Sequence, residues 1–440
     1  MTVITEARRR IRWVLRHGLM RRMVERRRQA GEVTAKLMLD PAYVDDPFPH
    51  YAAVRSTGRA VHDGMLLHTT HHDVATAVLR SPDMGSAGMR TDDLPLLVKV
   101  LARVGGKSPL GPVEQPSMLV SNPPDHTRYR KLVTRAFSAK AVAGLRTRTE
   151  EIAAGLLDDM QARGGRADLI DDFAALLPAT VIAEMLGAPV EMRRQFLDWG
   201  AAAGISLDAG LSWSEFSRSE KGTSALCDWM ESHLDHLRAH PGDNILSALV
   251  HARAEEGKLT QDELVSIAVL LLAAGFETTV NLIGNAAHLL MAHPDQLALL
   301  REDPSRWPNA VDEVLRLDSP VQRTGRIART DTDVAGVSLK AGQGIMVMLG
   351  GANRDPAVFP DPDRFDVLRE NAGSHIAFSS GIHYCLGAGL AKMEAEVGLR
   401  ALFGRFPDLA PAGAPTRRPT RVLRGYEHMP VTLETATVPA

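Results

Sequence analysis

The residues with most chemical potential lie in the run Phe378-Ser379-Ser380-Gly381-Ile382-His383-Tyr384-Cys385-Leu386-Gly387. Gly381 and Gly387 flank the cysteine and permit close backbone approach or unusual dihedrals. A helical pattern starts directly after Cys385. A cysteine at a helix N-terminus meets the positive end of the dipole and unused backbone N–H groups. Both favour a thiolate, so the expectation is a pKa below the free value of about 8.5 and a sulfur able to bind a metal. Donors to the sulfur would also restrain the charge it pushes onto that metal. The competing reading is a buried, inert cysteine, which holds for most lone cysteines.

Other groups could act with it. Glu313 and Arg316 lie at i, i+3 on one helix face, although such pairs alone are usually solvated surface bridges. Ala274-Gly275-Phe276-Glu277-Thr278-Thr279 places an acid beside an alcohol where a Gly and two Thr interrupt a long helical pattern. Threonine hydroxyls can bond back to i−4 carbonyls and open a helix groove. The plainer reading is a packing glycine with two satisfied threonines. In Asn122-Pro123-Pro124-Asp125-His126-Thr127-Arg128-Tyr129-Arg130, His126 and Arg130 face the same way at i, i+4.

These side chains need a frame. Thr260 and Glu263 form a capping-box pattern, and helical spacing continues to about Ala292, before Pro294. That is about 50 Å of helix, and its apolar first half requires a path through the middle of the molecule. Further helices are expected near 46–57, 71–80, 124–136, 141–163, 168–186, 190–204, 214–239, 307–318 and 386–404. Arg326–Thr330, Val334–Leu339 and Gly344–Met348 read as short strands, with turns at Gly336 and Ala341–Gly342. Residues 352–384 read as a long ordered loop. The fold class is mainly α with minor β, as one domain over 36–440 preceded by a basic arm over 1–35.

The Cys385 segment resembles the haem-binding loop of the cytochromes P-450, Phe-x-x-Gly-x-His/Arg-x-Cys-x-Gly, a family with thiolate-ligated haem. Ser379 stands where members often carry Gly. The resemblance implies the P-450 fold with the long central helix over the haem, haem b (iron protoporphyrin IX) as cofactor, and Cys385 as axial ligand to its iron. It implies that Glu277 and Thr278 are the catalytic acid–alcohol pair that relays protons. It implies that His126, Arg130, Arg326 and His383 grip the haem propionates. Glu313 and Arg316 resemble the family's buried Glu-x-x-Arg pair, with Arg364 matching its third, loop-borne arginine. Ala352-Asn353-Arg354-Asp355-Pro356 and Phe359-Pro360-Asp361-Pro362 fit the same loop. The motifs run from about 122 to 390, and the general pattern from about 40 onward.

The activity so implied is a monooxygenase, a hydroxylase inserting one oxygen atom from O2 into a C–H bond. Electrons would come from NAD(P)H through a separate ferredoxin and ferredoxin reductase, since no flavin, nicotinamide or iron–sulfur motif lies outside the haem region. Lys131, Arg135 and Lys392 are candidate docking cations. Segments 84–120 and 195–220, Leu270–Ala274 and the stretch after Pro320 are expected to contact an apolar small molecule of the polyketide or macrolide, terpenoid or steroid class. Two rivals are a peroxide-driven peroxygenase of the same fold and a non-catalytic haem-binding sensor; Glu277 and Thr278 speak against both.

Bulk composition agrees with a packed enzyme. Of 440 residues, 24% are charged and 45% belong to the hydrophobic set, and the formal net charge is −2. That balance gives no general pull toward nucleic acid or anionic membrane. Cys227 and Cys385 are too few and too far apart for a disulfide framework, so a cytoplasmic location is expected. Residues 1–30 differ, with ten arginines against Glu6 and Glu25. Ile11, Leu15, Leu19 and Met23 recur at i, i+4, so this arm is either a basic amphipathic helix on a membrane or partner, or a solvated tail. Leu264–Phe276, the most apolar run, is too short for a bilayer and reads as a buried helix.

Overall fold

The computed structural model describes residues 3–29, 32–40, 42–62, 64, 66–86, 103–256 and 259–433. The expected substrate-contact residues 87–102 lie outside them. The capping box is formed: the Thr260 hydroxyl accepts from the Glu263 N–H at 3.2 Å, and Glu263 accepts from the Thr260 N–H at 2.7 Å. From it the helix runs unbroken over Gln261–Ala292. The interruption expected at Ala274–Thr279 is not a break. Local propensity gives up about 1 kcal/mol at a glycine, and tertiary burial outweighs that. Every residue from Leu264 to Ala273 is buried. This helix is long and apolar enough to cross a bilayer, but 83% of its apolar window is buried inside the protein.

Helices Leu176–Leu186, Arg193–Ile205, Trp213–Ala239 and Ala388–Arg405 pack on the central helix, and Ala139–Arg163 backs the last of these. The single helix expected over 168–186 is instead a strand residue, a π turn over Ile170–Ala174 and the helix Leu176–Leu186. A five-stranded sheet runs in the order Val61–His62, Leu67–Thr69, Gly344–Val347, Thr324–Ala328, Met84–Ser86. Its register sets Arg326 opposite Ile345 on one side and Ser86 on the other. Gly336 does turn the chain, but with Ala335 it splits the expected strand into Thr332–Val334 and Val337–Leu339. Both turn residues have positive φ, the requirement of a tight hairpin.

The N-terminal arm is not a solvated tail. Val3–Trp13, a π turn at Val14–Gly18 and Leu19–Gln29 follow one another as continuous helix. Glu220, on Trp213–Ala239, accepts from Arg9 Nε at 2.7 Å and from Arg12 Nε at 2.6 Å. Arg16 pairs with Glu114. Trp13 Nε1 donates to the Leu211 carbonyl at 2.9 Å, and its ring meets Trp213 edge-on at 5.9 Å. The arm therefore binds both the 105–114 segment and the 205–220 segment.

Glu263 carries a further load beyond its cap. Arg128, then the Thr260 N–H and the Tyr129 hydroxyl, hold its carboxyl down at about 2. A depressed folded pKa contributes stability above the ordinary value of 4.5, and that contribution is lost as pH falls toward about 2. Glu263→Gln should therefore lower the melting temperature at neutral pH, with the gap to wild type closing across that acid window. Parallel melting curves at every pH would contradict the assignment.

Candidate functional site

The loop before helix Ala388–Arg405 is shaped by its own backbone. Ser379 N–H donates to the Ile376 carbonyl at 2.9 Å, Tyr384 N–H to Gly381 at 3.1 Å, and Cys385 N–H to Phe378 at 2.9 Å. Gly381 has φ +68°, and a Cβ there would stand 2.4 Å from the Leu79 carbonyl oxygen. No other residue fits that approach to helix His72–Arg80. Ser379 has φ +63°, which explains in physical terms why glycine suits this position. In return its hydroxyl lies 3.4 Å from Arg326 Nη2.

Cys385 is accessible, yet burial pushes its thiol up. The two facts agree if the sulfur faces an interior recess. This corrects the expectation of a lowered pKa. The Gly387 N–H and the charge of Arg130 pull the thiol down, but by less than desolvation raises it. The helix proper starts at Ala388, and the N–H of its N-cap residue Gly387 is the backbone donor to the sulfur.

Four donors surround this recess. His126 and Arg130 come from helix Asp125–Val133, Arg326 from the sheet and His383 from the loop. The His126 and His383 rings lie 4.3 Å apart. Arg130 Nη2 donates to the Tyr384 carbonyl at 2.6 Å. Arg326 Nη1 donates to the Thr324 hydroxyl at 3.0 Å and the Gly325 carbonyl at 2.9 Å. Among the described residues no carboxylate pairs with either arginine, and burial takes Arg326 down to about 10. Burial, then Arg326, His126 and Arg130, takes His383 down to about 3. Its Nε2 is buried without a partner. A buried to half-buried collar carrying two arginines, with no paired acid among the described residues, suits the carboxylates of a ligand.

On the central helix, Ala274 is exposed among buried neighbours, and Thr278 Oγ1 donates back to its carbonyl at 3.2 Å. Glu277 is buried and does not meet Thr278 by a direct hydrogen bond. Its Oε1 lies 3.0 Å from Arg418 Nη1. Arg418 is held by its Nε bond to the Tyr426 carbonyl at 3.1 Å. Nothing in the sequence around Arg418 signals this pairing.

Glu313 and Arg316 are fully buried and bidentate, at 2.7 and 2.8 Å. Their expected third partner needs correction. The Arg364 side chain is 64% exposed and reaches no acid closer than Asp366 at 4.0 Å. Arg369 takes the place, donating to Glu313 Oε1 at 3.2 Å. Arg364 contributes only its carbonyl, which accepts from both Arg316 and Arg369 at 3.1 Å. Of the expected docking cations, Lys131 and Arg135 are exposed, while Lys392 is bound to Asp312 at 2.7 Å.

A long buried helix over a recess, with an accessible sulfur and a cationic collar, is the frame of a haem-thiolate enzyme. The family pattern described as Cytochrome P450 matches residues 307–423. The putative cytochrome P450 140 of Mycobacterium tuberculosis is 46% identical over 96% of this chain and 97% of its own. The 6-deoxyerythronolide B hydroxylase of Saccharopolyspora erythraea is 44% identical over 72% of this chain and 78% of its own. The ligand-free CYP164A2 structure from Mycobacterium smegmatis superposes with TM-score 0.81 at 33% identity, covering 91% of this chain and 99% of that one. The chain belongs to the cytochrome P450 family of haem monooxygenases. The collar and the orphan His383 Nε2 fit that cofactor's two carboxylates.

Removing one partner of a buried charge cluster costs about 3–5 kcal/mol, whereas an exposed side chain contributes within about 0.5 kcal/mol. Arg369→Leu should therefore destabilise the protein by several kcal/mol in denaturant unfolding and weaken haem retention. Arg364→Ala should leave both unchanged. Equal effects for the two substitutions would reverse the placement.

Proposed function

We propose that this protein is a ferredoxin-fed monooxygenase that hydroxylates an apolar small molecule, with Cys385 as the axial ligand of haem b. The observation that carries the reading is the convergence of Cys385 with Arg130, Arg326, His126 and His383, a charged set without internal acids. When bound, haem supplies reductive activation of dioxygen and transfer of one oxygen atom to a C–H bond. The chain's own work is narrower. The two arginines supply charge to the cofactor carboxylates, and the two histidines supply neutral N–H donors. The Cys385 sulfur fixes the iron side, and the Glu313 cluster holds its loop.

Thr278 stands on the accessible side of the central helix, where its hydroxyl would hold a proton facing the haem side. Glu277, tied to Arg418, keeps a carboxylate behind it for resupply. Electrons arise from NAD(P)H through a ferredoxin reductase and ferredoxin, and the cytoplasm is the compartment. The 6-deoxyerythronolide B hydroxylase relative, together with the apolar lining around Leu270, favours a polyketide or macrolide substrate.

Two measurements test this. The reduced carbonyl complex should show the far-red Soret band of thiolate ligation, and Cys385→Ala should abolish it; an unchanged band in the variant removes the ligand. Thr278→Ala should leave the band intact and release more peroxide per NAD(P)H consumed. Full coupling in that variant, or turnover equally good with peroxide alone, would reject the relay and favour the peroxygenase reading.

A further inference from the structure

The N-terminal helix separates its arginines into two sets. Arg9, Arg12 and Arg16 are bound to Glu220 and Glu114, and Arg21 donates to the Gly210 carbonyl at 3.0 Å. Arg28 is paired with Glu25 at 2.7 Å, and Arg9 also meets Glu6 at 3.1 Å, so the arm's two early acids are both neutralised. The second set faces outward. Leu19, Arg22, Met23 and Arg26 are all exposed and fall at i, i+3, i+4, i+7, one continuous stripe. Leu19 is 57% and Met23 41% exposed, and Leu19 is the most exposed large apolar side chain among the described residues. Arg22 and Arg26 have no ion pair among the described residues. Val24, on the opposite side, is buried against the body.

Large apolar side chains interleaved with free arginines are the signature of a helix lying at a lipid–water boundary, where the guanidinium heads reach phosphates and the stems lie along the apolar layer. Nucleic acid would use the arginines but leave Leu19 and Met23 without a role. An acidic protein surface would match the charge, but it offers no apolar layer to both residues unless specially shaped. We propose that the stripe Leu19–Arg22–Met23–Arg26 seats the protein on an anionic lipid bilayer, as a peripheral contact on its cytoplasmic side. The inner face of the same helix holds the 205–213 segment through Trp13, His17 and Arg21. The contact thus brings that segment to the lipid surface. The inference does not depend on the monooxygenase reading.

The test is sedimentation of the full-length holoprotein with vesicles of equal parts phosphatidylglycerol and phosphatidylcholine, and with pure phosphatidylcholine. Each basic residue near an anionic surface contributes about fivefold to partitioning. Binding should be confined to the anionic vesicles and weaken in high salt. It should fall about 25-fold in Arg22→Gln/Arg26→Gln, and at least about tenfold in Leu19→Ser/Met23→Ser. The carbonyl spectrum and melting temperature should stay unchanged in both, which shows that each variant is folded. No binding to anionic vesicles overturns the proposal. So does equal binding to both vesicle types, or binding indifferent to the two double substitutions. A partner protein captured by the stripe, without vesicle binding, overturns it as well.

Discussion

One buried acid organises the loop on which the site depends. Glu313 has no contact with solvent, and it is surrounded by Arg316, Arg369 and the Asp366 N–H. The two arginines pass its charge outward to five loop carbonyls of Asn353, Pro360, Asp361, Pro362 and Arg364. A segment without helix or strand has no ladder of its own to satisfy these groups. The charge cluster stands in for that ladder. It is strong because both carboxylate oxygens are hydrogen-bonded, and fragile because no member can be removed alone.

Desolvation sets the character of the rest of the site. It lifts the Cys385 thiol and lowers Arg326, His126 and His383. Each group is thus pushed toward neutrality while it lacks an opposite charge. A ligand bringing a metal cation and two carboxylates reverses all of these penalties together. The protein alone carries the cost of holding the groups, and a cofactor of that kind would relieve it. Apoprotein and holoprotein must therefore differ in stability by linkage.

Much of this was legible in the sequence. The capping box, the central helix and the Cys385 loop follow from local rules, and nearly all the expected helices appear within a few residues. The misses have physical causes. Strands such as Val61–His62 and Leu67–Thr69 are too short to show alternation. Arg364 and Arg369 sit in one aperiodic loop, where spacing does not say which side chain turns inward. The helix-terminus argument for Cys385 counted N–H donors but not the burial opposing them. Glu277 and Arg418, like the arm and Glu220, are joined only by tertiary folding. Sequence marked the acids and arginines as available without saying which would pair.

Chain order gives these pairings a direction in time. Glu277, Glu313 and Asp318 all precede the arginines that neutralise them, Arg418, Arg369 and Arg424. A nascent polypeptide emerging N-terminus first exposes Glu277 and Asp318 well before their partners exist, while Glu313 has Arg316 at once and waits only for Arg369. The central helix can form early, but Glu277 and Asp318 lack their arginines until the chain reaches Arg418 and Arg424. The last quarter of the protein therefore supplies the charges that complete these buried pairs.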